Sequence, residues 1–129
     1  MLMVGQYFDF NCNALYYSHS HRDVFISSYF YGFTSSREIN LEHYIYTPIG
    51  SKKGIEQRYS DASMVSRALK FQIMFRENFN LETKLSPTIL YLLYEMEKTE
   101  EMIEYTKAKV KSKELQEKII NEYKRLRCK

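Results

Sequence analysis

Residues 86–127 hold no glycine, and their one proline, Pro87, stands second in the stretch. Ser86 can cap the free amides of a helix start, and proline at the first helical position gives up only an unused donor. From Ile89 onward Leu, Met, Glu, Lys and Gln dominate, all strong helix formers. A continuous helix of roughly 40 residues would be about 60 Å long at 1.5 Å per residue. A compact chain of this size has a radius of gyration of about 14 Å and hence a diameter near 36 Å. The segment must therefore either project into a partner or break and fold back.

Its apolar pattern locates the place where this is decided. Ile89, Met96, Ile103 and Val110 recur every seven residues, whereas Tyr105, Ser112, Ile119 and Leu126, with Ala108 and Leu115, form a second heptad set. The offset of two residues turns the stripe by about 200° around the helix. Charge changes with it: residues 95–104 carry five Glu and one Lys, and residues 107–129 nine bases and three acids. With no Gly or Pro to force a break, a continuous helix is the expectation, with one stripe on this chain's core and the other on a partner. That reading assigns self-association to Ile103, Val110, Leu115, Ile119 and Leu126, most simply in a homodimer. The alternative is a helical hairpin in which Ser112 caps a second helix with Glu114 in its first turn.

The first half reads as β structure. Leu2, Val4, Phe8 and Phe10 alternate with Met3, Gly5, Tyr7 and Asp9, the period of a half-buried strand. Leu15, Tyr17, His19 and His21 share one face of a second candidate. Residues 24–34, rich in Phe, Ile, Tyr and Val, predict the strongest strand, with Gly32 as a bulge or a close backbone approach. Ile39, Leu41, His43, Ile45 and Thr47 predict another, ended by Pro48. If residues 55–59 pair back on it, the lysines of Gly50-Ser51-Lys52-Lys53-Gly54 sit at a hairpin tip. Ser60 or Asp61 then caps a helix. Its stripes (Met64, Ala68, Phe71 and Phe75, beside Val65, Leu69 and Ile73) are wide enough to be buried on more than one side.

The expectation is one α+β domain over residues 1–129. An antiparallel sheet of four to five strands lies in the N-terminal half (1–59). It packs against a buried core helix (60–79), and a long C-terminal helix or helical hairpin (86–127) follows.

Composition bounds function loosely. Apolar residues make up 44% and charged residues 27% of the 129, which suits a folded chain. No apolar run reaches the ~18 residues of a membrane span and no signal-like start is present, so a cytosolic location with no membrane contact is expected. Cys12 and Cys128 lie near opposite ends; free thiols are the expectation, with a disulfide or a metal pair as alternatives. The unusual quantity is aromatic: 12 Tyr and 8 Phe with no Trp. Tyrosine suits interfaces and base-stacking surfaces equally, and a biased genome composition would also enrich it.

Two constellations invite chemistry. The basic tip Lys52 and Lys53 with Arg58, extended by Arg67 and Lys70, has the elements of a phosphate-contacting patch, with Tyr44, Tyr46 and Tyr59 placed to stack bases. The C-terminal Lys124, Arg125, Arg127 and Lys129 read either as a phosphate-binding tail or as charges complementing a helix dipole. His19-Ser20-His21 on a strand would aim two imidazoles at one divalent metal, with Asp23 or His43 as a third ligand and Tyr91 or Tyr94 as a helical nucleophile. This combination resembles the HUH family of nickases and replication initiators. The resemblance implies a metal-dependent nuclease, although Ser20 stands where that family has a bulky hydrophobic residue. The plainer reading is a polar turn holding two histidines. Phosphate loops, nucleophile elbows, Cys-x-x-Cys and His-Glu-x-x-His are all missing from the sequence, and no cofactor is expected.

The leading functional expectation is therefore a non-enzymatic protein that binds a macromolecular partner. Its tyrosine-rich sheet or basic hairpin would be the recognition surface and its C-terminal helix the means of self-association. Small tyrosine-rich chains of this kind are common among viral and mobile-element proteins. Nucleic-acid binding and metal-dependent cleavage are the alternatives.

Overall fold

A computed structural model describes residues 10–41, 55–96 and 99–128, with residues 55–60 described as backbone only. The architecture is α+β and mostly helical, with five helices and two small two-stranded sheets among the described residues. No helix among these residues is long and apolar enough to cross a membrane.

Helix α2 (Ile55–Phe79) is the centre. Helices α3 (Pro87–Glu95), α4 (Thr99–Lys109) and α5 (Lys113–Arg127) pack around it. Its two predicted stripes both enter the core: Val65, Ala68 and Leu69 are fully buried and Ile73 nearly so, while Phe71 and Phe75 are half-buried against the same cluster. Full burial of a side chain such as Val65 or Leu69 is worth about 1.5–3 kcal/mol. On the side away from the bundle, edge-to-face contact of Phe10 on Phe71 at 5.3 Å and a tilted contact of Phe33 on Phe75 at 5.2 Å bring in the N-terminal segment.

Among the described residues the expected four- to five-stranded antiparallel sheet is not formed, and smaller pieces stand in its place. Strands β1 (Leu15–Ser18) and β2 (Asp23–Ile26) form an antiparallel hairpin, and β3 (Glu38–Ile39) pairs in parallel with β4 (Lys84–Leu85). The strand predicted over residues 24–34 stops at Ile26. Helix α1 (Ser28–Ser36) takes over because the Ser27 hydroxyl accepts from the Tyr29 amide at 3.1 Å, which caps a helix start. Gly32 is thus a helical residue, not a bulge, and Arg37 in the left-handed region at φ 55° closes the helix. Of the strand expected over residues 39–47, Ile39 lies in β3 and Leu41 in a bridge to Phe10; residues 42–54, like residues 1–9, lie outside the described residues. Residues 55–59 belong to α2, so they do not return as a hairpin strand.

Asn11 stitches these pieces together. It is nearly buried, its amide donates to the Glu38 carbonyl at 2.8 Å, and its side-chain oxygen accepts from the Asn40 amide at 2.9 Å. One side chain thereby does the work of a strand neighbour for β3.

The continuous C-terminal helix is likewise corrected. Ser86 caps α3 with Pro87 in its first turn, but Met96 turns extended after Glu95. At the second break Ser112 accepts from the Leu115 amide at 3.3 Å and caps α5. No Gly or Pro is needed, because α5 supplies the exposed carbonyls of both preceding helices with donors. Gln116 donates to Lys107 at 3.3 Å and to Val110 at the end of α4. Arg127 donates to Leu93 at 3.0 Å and to Met96 at the end of α3, and its guanidinium lies over the Tyr123 ring. The basic end of the chain thus satisfies helix C-termini.

Folding back places the second stripe inside. Ile119 is fully buried, and Val110, Leu115 and Leu126 pack half-buried against the core. Ile103 is half-buried as well. Ile119, Val110, Leu115 and Leu126, which the continuous helix assigned to a second copy, are thus spent on this chain's own core.

Candidate functional site: an aromatic hairpin outside the core

The hairpin owes its shape to the turn over residues 19–22. The buried Ser18 hydroxyl sits 3.0 Å from His21 Nδ1 and 3.1 Å from the Ser20 hydroxyl, and Arg22 takes the left-handed backbone at φ 52° that a tight reversal requires. The register pairs Leu15 with Ile26, Tyr16 with Phe25, Tyr17 with Val24 and Ser18 with Asp23. Alternation then puts Leu15, Tyr17, Val24 and Ile26 on one face and Tyr16 and Phe25 on the other.

The second face is closed on itself: Tyr16 and Phe25 stack at 5.2 Å, and the His21 ring stands edge-on to Phe25 at 5.6 Å. The first face is open. Tyr17 is 54% exposed, Val24 47% and Ile26 41%. None of the apolar hairpin residues belongs to the core cluster or to the side chains packed against it. Just beyond, Tyr31 of α1 is 60% exposed.

His19 and His21 lie in the turn, after β1 has ended, so the two-residue alternation that would bring them to one side does not apply. His19 stands edge-on to Tyr17 at 5.0 Å, on the face opposite the one His21 packs against. Their rings diverge. Among the described residues no group of three or more His, Cys, Asp or Glu side chains is arranged to hold a metal ion. Of the tyrosines named with them, Tyr91 packs against the core and Tyr94 is exposed; His43 lies outside the described residues.

Lys52 and Lys53 lie outside the described residues, and Arg58 falls early in α2. Arg67 and Lys70 are neighbours one turn apart, each over an aromatic ring: Arg67 at 5.1 Å from the centre of Phe10 and Lys70 at 5.3 Å from that of Phe71. Burial, helped by the Arg67 charge, holds Lys70 below the ordinary lysine range. Both are half-buried and serve packing.

A groove of about 250 Å³ between α2 and α5, lined by Ile73, Met74, Glu77, Ser112, Leu115 and Lys118 among others, is also occupied with structure. Lys118 bonds Glu77 at 2.5 and 2.7 Å and pairs with Glu114 at 3.1 Å; these contacts raise its pKa. Both cysteines are free. Cys128 is exposed, whereas burial pushes the Cys12 thiol up to about 12 and keeps it protonated.

Sequence reasoning named Tyr17 only as a strand residue and Val24 and Ile26 only as part of a longer strand. The missed signal was Ser27, whose cap cuts that strand short and leaves its beginning as a two-stranded ribbon. Comparisons with protein-family models, curated proteins and solved structures return no match.

Proposed function

We propose that this chain is a non-enzymatic binding protein that occupies a protein partner through the open face of its β1–β2 hairpin. The observation that carries this reading is the exposure of Tyr17, Val24 and Ile26 side by side, outside the core. A contiguous apolar face whose side chains belong to no core cluster is the usual mark of an interaction surface. Tyrosine beside branched aliphatic residues is interface chemistry, and the face carries no Lys or Arg with which to grip phosphate. The C-terminal stripe is not needed for this role, since it stabilises the helical body.

The test is differential capture from a lysate of the source cells. The wild-type chain is compared with a Tyr17→Ser, Val24→Ser, Ile26→Ser variant of unchanged helicity. A protein retained by the wild type and lost by the variant is expected. Retention of the same proteins by both would overturn the reading, and capture of nucleic acid alone would replace it with the nucleic-acid reading.

A further inference from the structure

The hairpin also has two edges, and they differ. Ser27 donates to the Ala14 carbonyl at 2.9 Å, which fixes the ladder's phase. Tyr16–Phe25 and Ser18–Asp23 are then the hydrogen-bonded pairs, and Leu15–Ile26 and Tyr17–Val24 the non-bonded ones. The amides and carbonyls of Leu15 and Tyr17 therefore point outward along β1, and those of Val24 and Ile26 outward along β2. On the β2 side the Val24 amide is taken by the Asp23 carboxylate at 2.8 Å, which blunts that edge. On the β1 side no hydrogen bond from another described segment reaches Leu15 or Tyr17, and residues 15–18 carry no charge to repel a neighbouring strand.

We infer that the β1 edge pairs with β1 of a second copy of this chain, antiparallel about a two-fold axis through Tyr16. This rests on the reading of the hairpin as the recognition surface and names how that surface is completed. Only one self-pairing register uses every outward group of both residues: Leu15 opposite Tyr17 of the other copy, twice, with Tyr16 facing its own counterpart. It forms four backbone hydrogen bonds. One face of the resulting four-stranded sheet carries a row of Phe25 and Tyr16 from each copy. The other extends the open face, with Val24 and Tyr17 running into Leu15 and Ile26 of the second copy. The β2 edges, where Asp23 takes the Val24 amide, lie outermost, which disfavours growth beyond two copies. A two-stranded ribbon is marginal by itself, and four strands with an apolar face are not. The contact is small, so the dimer is reversible and depends on concentration.

The experiment is sedimentation velocity over a concentration series, joined to cysteine cross-linking in a Cys128→Ser background. A monomer–dimer equilibrium is expected. Tyr17→Pro removes one outward amide from each copy, two of the four bonds, and spares the hairpin's own ladder; it should weaken the dimer about tenfold or more. Under mild oxidation Tyr16→Cys should cross-link across the axis. Tyr17→Cys should not, because its counterpart is a diagonal neighbour beyond disulfide reach. A strict monomer at the highest concentration, or equal cross-linking at the two positions, would overturn the inference. Since residues 24 and 26 lie off the β1 edge, Val24→Ser with Ile26→Ser separates the two readings. Loss of capture by that pair while the wild type stays monomeric refutes only the dimer. A persistent dimer with unchanged capture refutes only the partner reading.

Discussion

The β1–β2 hairpin and helix α2 are both rich in large apolar side chains, yet they use them in opposite ways. In α2 the stripes around Leu69 and Phe71 meet helices on one side and Phe10 and Phe33 on the other, and they are buried or half-buried against the core. In the hairpin, Tyr17, Val24 and Ile26 stay about half exposed and lie outside the core cluster, while Tyr16 and Phe25 stack on one another. Apolar content therefore does not tell a core from a binding surface; the number of neighbouring elements does. An α-helix satisfies its own backbone and can be wrapped on all sides. A two-stranded ribbon has two edges and two faces, and here the core cluster takes in none of the side chains on its open face.

The sharpest expected contrast is in reactivity. Cys12, held in the core with a pKa of about 12 against the ordinary 9.0, has roughly a thousandfold less thiolate than an unperturbed cysteine near neutral pH. Alkylation at pH 8 followed by mass spectrometry should label Cys128 and leave Cys12 until the chain is unfolded. The same shift makes stability fall with pH. Because the folded chain keeps a proton that the unfolded chain releases, the contribution is complete below about pH 9 and drains away as pH rises towards 12. Early labelling of Cys12 would mean that the body is not closed around it.

Next in size is Leu69→Ala, which empties a fully buried position in α2. It should cost about 2–5 kcal/mol in denaturant unfolding. A loss under about 1 kcal/mol would place α2 nearer the hairpin's side of the comparison.

Smaller again is the polar seam between α2 and α4. Thr106 donates to the Met102 carbonyl at 2.9 Å and accepts from Ser66 at 2.8 Å, with both hydroxyls buried, and Ser63 donates to the Tyr105 hydroxyl at 2.9 Å. Thr106→Val leaves Ser66 without its partner and should cost about 1–3 kcal/mol. Adding Ser66→Ala should restore much of that loss. Strictly additive losses would show that the two hydroxyls do not act as a pair.

What could be read in the chain beforehand divides along the same line. The stripes of α2, the Ser86-Pro87 start and the Ser112 cap are local patterns, spelled by residues within a turn of one another. The break at Ser112 was legible as an alternative to a continuous helix, whereas the break after Glu95 was not, because Arg127 supplies its exposed carbonyls from elsewhere in the chain. The Asn11 bridge was invisible for the same reason, since its partners Glu38 and Asn40 lie 27 and 29 residues away. The hairpin was masked differently: β2 and α1 have the same aromatic composition, and only the Ser27 cap separates them. A candidate site built on exposure depends on what the rest of the fold fails to cover, and no local pattern encodes that.

The account turns on the claim that the open hairpin face contributes to binding and not to folding. Denaturant unfolding of a Val24→Ser, Ile26→Ser variant at a concentration low enough to keep the chain monomeric measures this directly. The account predicts a change within about 0.5 kcal/mol, the range of surface substitutions. A loss of about 2 kcal/mol or more, the size expected for emptying a buried aliphatic site, would show that the face is part of the core and would contradict the account.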